Sequence, residues 1–483
     1  MELTKLTAFE LAAGYRNRDF SCEEVVKDYL KNIKEKDQDL NAYITVMEEE
    51  ALNAAKDVDR RFQNREDLDL LAGIPISIKD NISVKDVKMT CGSKMLENYI
   101  PPYDSVVTER IKNAKGIILG KVNLDEFAMG ATTRTSYYGP TKNPRDLSLL
   151  AGGSSGGSAA SVVGEEATLS VGTDTGGSIR QPSSLCGAVG MKPTYGSIPR
   201  YGISTMANTF DQPGAIGRDV ADVSLLLRVL EGSDKRDATS VGNPGLQHNF
   251  DFSQKATDEL KKLKIAVPKL YLEMDLEPRV MDEFKKSIEI LKEQGATVET
   301  YDIESLQYVI ETYHILANGE IAPNMARFDG LRYGHRTEED YETIEEFYRK
   351  SRGEGFGDEV KRRIMIGTHI LSLDLAEDYY YKALKVRGLI KRDMERMFKE
   401  YHLILCPTTP SLSFKVDQQI SPVEIYQADL FTIPANMAGC PSISIPMPVG
   451  NDNLSVGIQM TGKRFKDRDL IKAALGFERS VLS

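Results

Sequence analysis

Two glycine- and serine-rich stretches decide how this chain folds: GGSSGGS at residues 152–158 and GTDTGGSIRQP at residues 172–182. Residues 152–190 hold 10 of the 38 glycines in the chain. Apolar runs follow both stretches at once, as in AASVV at residues 159–163 and LCGAV at residues 185–189. A flexible linker is not interleaved with apolar segments in this way, so we expect both stretches inside the folded core.

Two other functions of glycine-rich loops are less favoured. Backbone N–H groups at a helix start can bind phosphate, but the Walker pattern ends in Gly-Lys-Ser/Thr, and neither stretch has that ending. Residues 152–156 and 153–157 each fit the G-x-S-x-G nucleophile elbow of α/β-hydrolases. That elbow needs a later Asp and His as partners, and it leaves the second stretch, around Ser178, without a role.

The distribution of histidines points to a different base. The histidines are His248, His314, His335, His369 and His402, so the first 247 residues contain none. A lysine that is buried enough to be neutral can replace imidazole, because desolvation disfavours the ammonium form. Lys79 is the best candidate, since it ends the apolar, strand-like run IPISIK. A solvated lysine at a strand end is the alternative on this run alone.

The motifs resemble those of the amidase signature family, whose hydrolases use a Ser-Ser-Lys triad, and the resemblance covers nearly the whole chain. It implies that Lys79 is the base, Ser154 relays the proton after a cis peptide bond, and Ser178 is the nucleophile that forms an acyl-ester intermediate. It also implies an oxyanion hole made by the backbone N–H groups of Thr175, Gly176, Gly177 and Ser178.

Outside this core, GMKPTYG at residues 190–196 and GFGDEVKRRI at residues 355–364 resemble the glutaminase subunits of tRNA-dependent amidotransferases. This resemblance implies glutamine as substrate, with Tyr313, Arg362 and Asp429 in its pocket, where an arginine and an acid suit the two charges of an amino acid. Without the resemblance, Arg362 is interpreted equally well as a surface arginine in a basic triplet.

The same resemblance implies the partners. The chain would join the B and C subunits of a heterotrimer that converts Glu-tRNA(Gln) to Gln-tRNA(Gln) with ammonia from glutamine. The tRNA would be engaged through the complex, and ATP and magnesium would be used in the B subunit, with no cofactor or metal in this chain. A free-standing amidase acting on another small amide stays an alternative. An inactive binding module is disfavoured, because Lys79, Ser154 and Ser178 occur together.

Composition limits the partners and the compartment. Lys and Arg number 61 against 72 Asp and Glu, a net charge of −11, so the chain has no basic surplus to bind DNA or RNA by itself. The five cysteines are widely spaced without a Cys-x-x-Cys pair, and are expected to be reduced and buried. No signal peptide and no 18-residue apolar stretch is recognised, which predicts a cytoplasmic protein without a membrane partner.

Strand patterns alternate with helical patterns and predict an α/β fold. With the resemblance, we expect one amidase-signature domain over residues 1–483, with a central mixed β-sheet covered by helices on both faces. Its expected parts are a helical N-terminal region (1–64), the signature core (65–220), a mainly helical part lining the substrate pocket (250–400), and returning strands with a C-terminal helix (401–483).

Overall fold

A computed structural model describes residues 2–246, 257–450 and 452–482; of the histidines above, His248 lies outside these ranges. The strands are β1 (Tyr43–Val46), β2 (Pro75–Lys79), β3 (Ile117–Val122), β4 (Lys142–Asn143), β5 (Asp146–Leu150), β6 (Leu169–Asp174), β7 (Val189–Lys192), β8 (Gln212–Gly217), β9 (Lys264–Pro268), β10 (Thr297–Tyr301), β11 (Leu403–Pro407), β12 (Ser442–Pro446) and β13 (Gly457–Gly462).

The α-helices are α1 (Ala8–Asn17), α2 (Cys22–Leu40), α3 (Glu48–Gln63), α4 (Val106–Asn113), α5 (Gly156–Val163), α6 (Arg180–Cys186), α7 (Val220–Leu230), α8 (Thr257–Leu260), α9 (Lys269–Glu273), α10 (Pro278–Glu293), α11 (Val309–Met325), α12 (Ile344–Gly355), α13 (Asp358–Ile370), α14 (Lys382–Met397), α15 (Pro422–Gln427), α16 (Ile433–Ala438) and α17 (Asp467–Leu482). Among the described residues, no helix is both long and apolar enough to span a membrane.

One mixed sheet of eleven strands organises the fold, in the order β1-β3-β2-β6-β8-β7-β12-β13-β11-β9-β10. Strand β2 runs parallel to β3 and β6, whereas β8 runs antiparallel to β6 and β7. Late strands lie in the middle of the sheet, since β12 pairs with β7 and places Ile443 opposite Met191. The chain therefore forms a single large α/β domain, and the predicted fold class is confirmed.

The burial of the central strands shows how the sheet is covered. Successive side chains of a strand point to opposite faces, yet every residue of β2 and of β6 is buried. Both faces of this part of the sheet are therefore covered, as expected for strands flanked by helices. Helices α5 and α6 begin at Gly156 and Arg180, within the two glycine-rich stretches.

The pairing of β2 with β6 positions the candidate site. The two strands are parallel, with Ile78 opposite Val171, so their carboxyl ends meet at one edge of the sheet. Lys79 ends β2 and Asp174 ends β6. The loops that follow these strands lie where α/β sheets usually bind their ligands. The second glycine-rich stretch is thereby brought beside the lysine.

Candidate active site

The amine of Lys79 lies wholly inside the protein, with 0% of the residue exposed. Its Nζ is 2.8 Å from Oγ of Ser154, 2.8 Å from Oγ of Ser155 and 3.3 Å from the carbonyl oxygen of Thr173. These partners are two hydroxyls and a carbonyl, none of which carries a formal charge. The alternative of a solvated lysine at a strand end does not fit this position.

Burial controls the protonation of this amine. Desolvation lowers the pKa of Lys79 to about 7, although the negative charges of Asp125, Asp174 and Asp211 act in the opposite direction. A lysine with such a pKa is present in substantial part as the neutral amine near pH 7. It can therefore accept a proton from a hydroxyl, which an ordinary lysine cannot do at this pH.

The two serine loops are joined through their backbones. The N–H of Ser155 donates to the carbonyl oxygen of Ser178 at 3.0 Å, and the peptide bond between Gly153 and Ser154 is cis. A β-carbon on Gly153 would lie 2.1 Å from the carboxylate oxygen of Asp125, so only glycine fits there. The structure thus brings the hydroxyl that faces Lys79 next to the loop that carries Ser178.

The backbone before Ser178 is shaped for close approach by a ligand. Within the described part of the chain, the N–H groups of Gly176, Gly177 and Ser178 donate no hydrogen bond. Gly177 has φ +152°, and a β-carbon there would lie 2.2 Å from Oγ1 of Thr432. A β-carbon on Gly176 would lie 2.7 Å from the hydroxyl of Tyr313. These free donors have the chemistry to stabilise an oxyanion, and the oxyanion hole at residues 175–178 stays a prediction.

A buried ion pair holds this loop in place. Arg180 donates to both carboxylate oxygens of Asp174, at 3.0 and 2.9 Å, and to the side chains of Asn436 and Gln459. The N–H of Ile179 also donates to Asp174. Burial by itself would raise the pKa of Asp174, but the charge and hydrogen bonds of Arg180, together with Lys192 and Asn436, outweigh it and lower this pKa to about 2. The carboxylate stays ionised and fixes both sides of the loop that carries Ser178.

A narrow cavity opens onto Ser178. Its free volume is about 10 Å³, roughly the space of one water molecule. A substrate larger than water therefore needs side chains around the cavity to move. The polar side chains that line it are Ser178, Tyr313, His314, Arg363, Tyr426 and Asp429.

Of the predicted pocket residues, the structure brings Tyr313 and Asp429 to this cavity but not Arg362. The Arg362 side chain is 43% exposed and pairs with Glu359. Its neighbour Arg363 is 4% exposed and lines the cavity instead. Adjacent helical residues point about 100° apart, so one position decides which arginine faces inward. The prediction for Arg362 is corrected to Arg363 on this geometry.

An arginine and an aspartate face a ligand in this cavity. Nε of Arg363 donates to Glu359 at 2.8 Å, and its guanidinium lies 5.5 Å from the centre of the Tyr426 ring. Oδ1 of Asp429 is buried and has no hydrogen-bond partner among the described residues. Burial and the nearby charge of Asp174 raise the pKa of Asp429 well above its ordinary value. A bound cation would stabilise its ionised form.

Several residues around the site escaped the sequence analysis. Ser155 is a second hydroxyl partner of Lys79, and its only signal was its place in the GGSSGGS stretch. Asp125 packs against Gly153 and accepts from the N–H of Thr132 at 3.1 Å. His314 joins the cavity from a different part of the chain. Within the described ranges, no group of three or more His, Cys, Asp or Glu side chains is arranged to bind a metal ion.

Comparison with known proteins places this architecture in a family. The Amidase family model matches residues 24–471, and the chain belongs to the amidase family. It is 46% identical over 482 residues to the A subunit of the glutamyl-tRNA(Gln) amidotransferase of Clostridium botulinum, and the match covers 100% of this chain and 98% of that protein.

Solved structures agree with this assignment. The crystal structure of the A subunit of glutamyl-tRNA(Gln) amidotransferase from Thermotoga maritima matches with a TM-score of 0.79 and 37% identity, over 98% of this chain and 94% of that chain. A bacterial aryl acylamidase of the amidase signature family matches with a TM-score of 0.83 at 24% identity, over 98% of this chain and 96% of that chain. The second likeness concerns the fold alone.

Proposed function

We propose that this chain is the glutaminase subunit of a glutamyl-tRNA(Gln) amidotransferase, which releases ammonia from glutamine for transfer to tRNA-bound glutamate. One observation carries the proposal: Ser178 lines the same cavity as Arg363 and Asp429, and its loop lies beside the buried Lys79 and Ser154. The serines and the lysine suit amide hydrolysis. The arginine and the aspartate suit the carboxylate and the ammonium of an amino acid. The high-coverage relatives of that name support it.

Acylation begins with Ser178. Its Oγ attacks the carbon of the glutamine side-chain amide, while its proton passes through the hydroxyl of Ser154 to the neutral amine of Lys79. The tetrahedral intermediate carries a negative oxygen, which the free N–H groups of residues 176–178 stabilise. The glycines let this oxygen approach the backbone. Because these donors are fixed before the reaction, little reorganisation is needed when charge develops.

Collapse of the intermediate breaks the bond between carbon and nitrogen. The proton held by Lys79 returns through Ser154 to the leaving nitrogen, so ammonia departs and a glutamyl ester remains on Ser178. Water then attacks the ester, giving its proton to the same relay, and Ser178 is regenerated with release of glutamate. One lysine thus acts as base and then as acid in both half-reactions, which a pKa near 7 permits.

The amino-acid end of glutamine would be recognised by charge. The guanidinium of Arg363 would bind the α-carboxylate, and Asp429 would bind the α-ammonium. The Tyr313 hydroxyl, which lies 2.7 Å from the position of a β-carbon on Gly176, would hold the side-chain amide against the oxyanion donors. Oδ1 of Asp429 lies 2.9 Å from the position of a β-carbon on Gly177, so the ammonium would lie close to the nucleophile loop.

The proposal includes a division of labour. With a net charge of −11, the chain would leave tRNA binding to the B and C subunits of a heterotrimer. ATP and magnesium would act in the B subunit, where the ammonia is consumed. The proposed compartment is the cytoplasm, where the tRNA substrate is found.

Reconstitution tests the proposal. The chain is purified with candidate B and C subunits, and ATP-dependent formation of Gln-tRNA(Gln) from Glu-tRNA(Gln) is measured with glutamine as the donor. We expect product only when all three subunits are present. A free-standing amidase would instead hydrolyse a small amide at full rate without the other two subunits. No glutamine-dependent product from an assembled complex would contradict the proposed function.

A further inference from the structure

His314 lines the cavity beside Ser178, but the mechanism described above gives it no task. It follows Tyr313 in α11. Both of its ring nitrogens are shielded from solvent, and neither has a hydrogen-bond partner among the described residues. A buried polar group without a partner is costly and uncommon in native proteins. Its position therefore indicates a group that becomes satisfied when a ligand enters.

Aromatic contacts fix the imidazole ring. The ring lies 4.0 Å from the Tyr426 ring, centre to centre, at an interplanar angle of 34°. The Tyr313 ring meets it edge-on at 5.2 Å and 75°. Tyr426 also contacts Arg363, whose guanidinium carbon lies 5.5 Å from the Tyr426 ring centre. His314 and Arg363 therefore contact the same aromatic ring, and both line the cavity.

The charge state of His314 determines which hydrogen bonds its ring can form with a ligand. Burial lowers the pKa of His314 to about 3, and the positive charge of Arg363 acts in the same direction. The ring is neutral in the physiological range, so one nitrogen donates a hydrogen bond and the other accepts one. A neutral N–H donor does not repel the guanidinium of Arg363, so both groups can bind the same anion. The N–H therefore complements a carboxylate next to Arg363.

We propose that His314 is a specificity-determining residue, whose ring N–H donates to the carboxylate of the amino-acid amide that Arg363 binds. This inference rests on the proposed function and assigns one more contact to its substrate. Nε of Arg363 already donates to Glu359, which leaves its two terminal nitrogens for the ligand. A carboxylate accepts up to four hydrogen bonds, so it can take the arginine fork and the imidazole N–H together. An amide without a carboxylate would leave the imidazole unpaired and be selected against.

Three variants test the contact in the full chain assembled with its partner subunits. His314→Phe keeps an aromatic ring against Tyr426 without hydrogen-bonding atoms, whereas His314→Gln restores a donor without the ring. His369→Phe is the matched control, because His369 is exposed in the last turn of α13. The substrates are glutamine and 4-aminobutanamide, which is the same amide without the α-carboxylate.

For His314→Phe we expect the KM for glutamine to rise about 10–100-fold, the effect of losing one hydrogen bond to a charged group. The kcat should stay within about twofold, because the lost contact binds substrate and transition state alike. The kcat/KM for 4-aminobutanamide should not change, and His314→Gln should recover most of the affinity for glutamine. His369→Phe should match the wild type.

Two results would overturn the role of His314. One is a KM for glutamine in His314→Phe equal to that of the wild type. The other is an equal fractional loss of kcat/KM for both amides, which would indicate a structural effect rather than a carboxylate contact. A wild-type complex that fails to hydrolyse glutamine would instead contradict the proposed function, so the two failures are distinguishable.

Discussion

The side-chain nitrogen of Lys79 lies 2.8 Å from Oγ of Ser154, inside the protein and at the carboxyl end of a central strand. The amine thus faces a hydroxyl rather than a carboxylate, and burial favours its neutral form. This relationship explains how a chain without a histidine in its first 247 residues can still supply a base to its serine loops.

The pH dependence of glutamine hydrolysis follows from this contact. The neutral amine of Lys79 is the active form, so kcat/KM should rise with pH around an apparent pKa of about 7 and level off above it. Stopped assays from about pH 5.5 to 9 measure the profile. Lys79→Met, which keeps the length of the side chain and removes the amine, should reduce activity by about 10²–10⁴. A flat profile across this range would contradict the lysine relay.

Two neighbouring arginines should differ sharply in their effect. Arg363→Ala should raise the KM for glutamine at least about 100-fold, because it removes the charge that we assign to the α-carboxylate. Arg362→Ala provides the matched control and should leave KM within about twofold, since that side chain is partly exposed outside the cavity. Initial-rate kinetics distinguish the two. A large rise in KM for Arg362→Ala with little change for Arg363→Ala would assign the carboxylate contact to Arg362.

Glutamine binding should release a proton from Asp429. Burial holds its pKa well above the ordinary value and the substrate ammonium would lower it, so Asp429 should carry less proton after glutamine binds than before. Calorimetry of glutamine binding to a Ser178→Ala complex, in buffers of different ionisation enthalpy, measures this release. Asp429→Asn should abolish the release and weaken binding. Identical enthalpies in all buffers would argue against an ammonium contact at Asp429.

The ion pair between Asp174 and Arg180 should matter for stability. Both side chains are 0% exposed, and removing one partner leaves a buried charge. Arg180→Met should lower the free energy of unfolding by about 3–5 kcal/mol. Lys112→Met, at a partly exposed pair with Asp104, should change it by less than about 1 kcal/mol. Urea denaturation compares the variants, and equal stabilities would show that the buried pair does not hold the loop.

The same pair gives a pH dependence of stability. Burial would raise the pKa of Asp174, but the charge and hydrogen bonds of Arg180, together with Lys192 and Asn436, outweigh it and place this pKa at about 2 in the folded chain, below the unfolded value of 3.8. The contribution to stability is therefore present above about pH 4 and is lost as the pH falls toward 2. The free energies of unfolding of the wild type and of Asp174→Asn should converge at the low end of this pH range. Different free energies there would contradict the lowered pKa of Asp174.

Local sequence indicated where the candidate catalytic residues lie in the fold, whereas their roles came from the family resemblance. The apolar run ending at Lys79 predicts a buried strand, and the glycines around Ser154 and Ser178 predict loops that only glycine can form. Parallel pairing of β2 with β6 then brings these residues together, as the alternation of strands and helices indicates. The fold class followed from the same patterns.

The substrate side depended on tertiary contacts. The triplet KRR does not say which arginine faces inward, and the resemblance pointed to Arg362. A signal was present, because Val360, Arg363, Gly367 and Ile370 are the buried positions of α13 and repeat at helical spacing. His314 had no such signal. Tyr426, which it contacts, and Arg363 come from α15 and α13, and only the folded chain places these three residues at one cavity.

The most direct test of the account is donor selection by the Ser178→Ala complex. Glu-tRNA(Gln) amidation is measured with ATP and either glutamine or ammonium chloride, and complex assembly is checked by gel filtration. We expect glutamine-dependent product to disappear while ammonium-dependent product stays at the wild-type level, because Ser178 only generates ammonia. Equal loss with both donors in an assembled complex would contradict it.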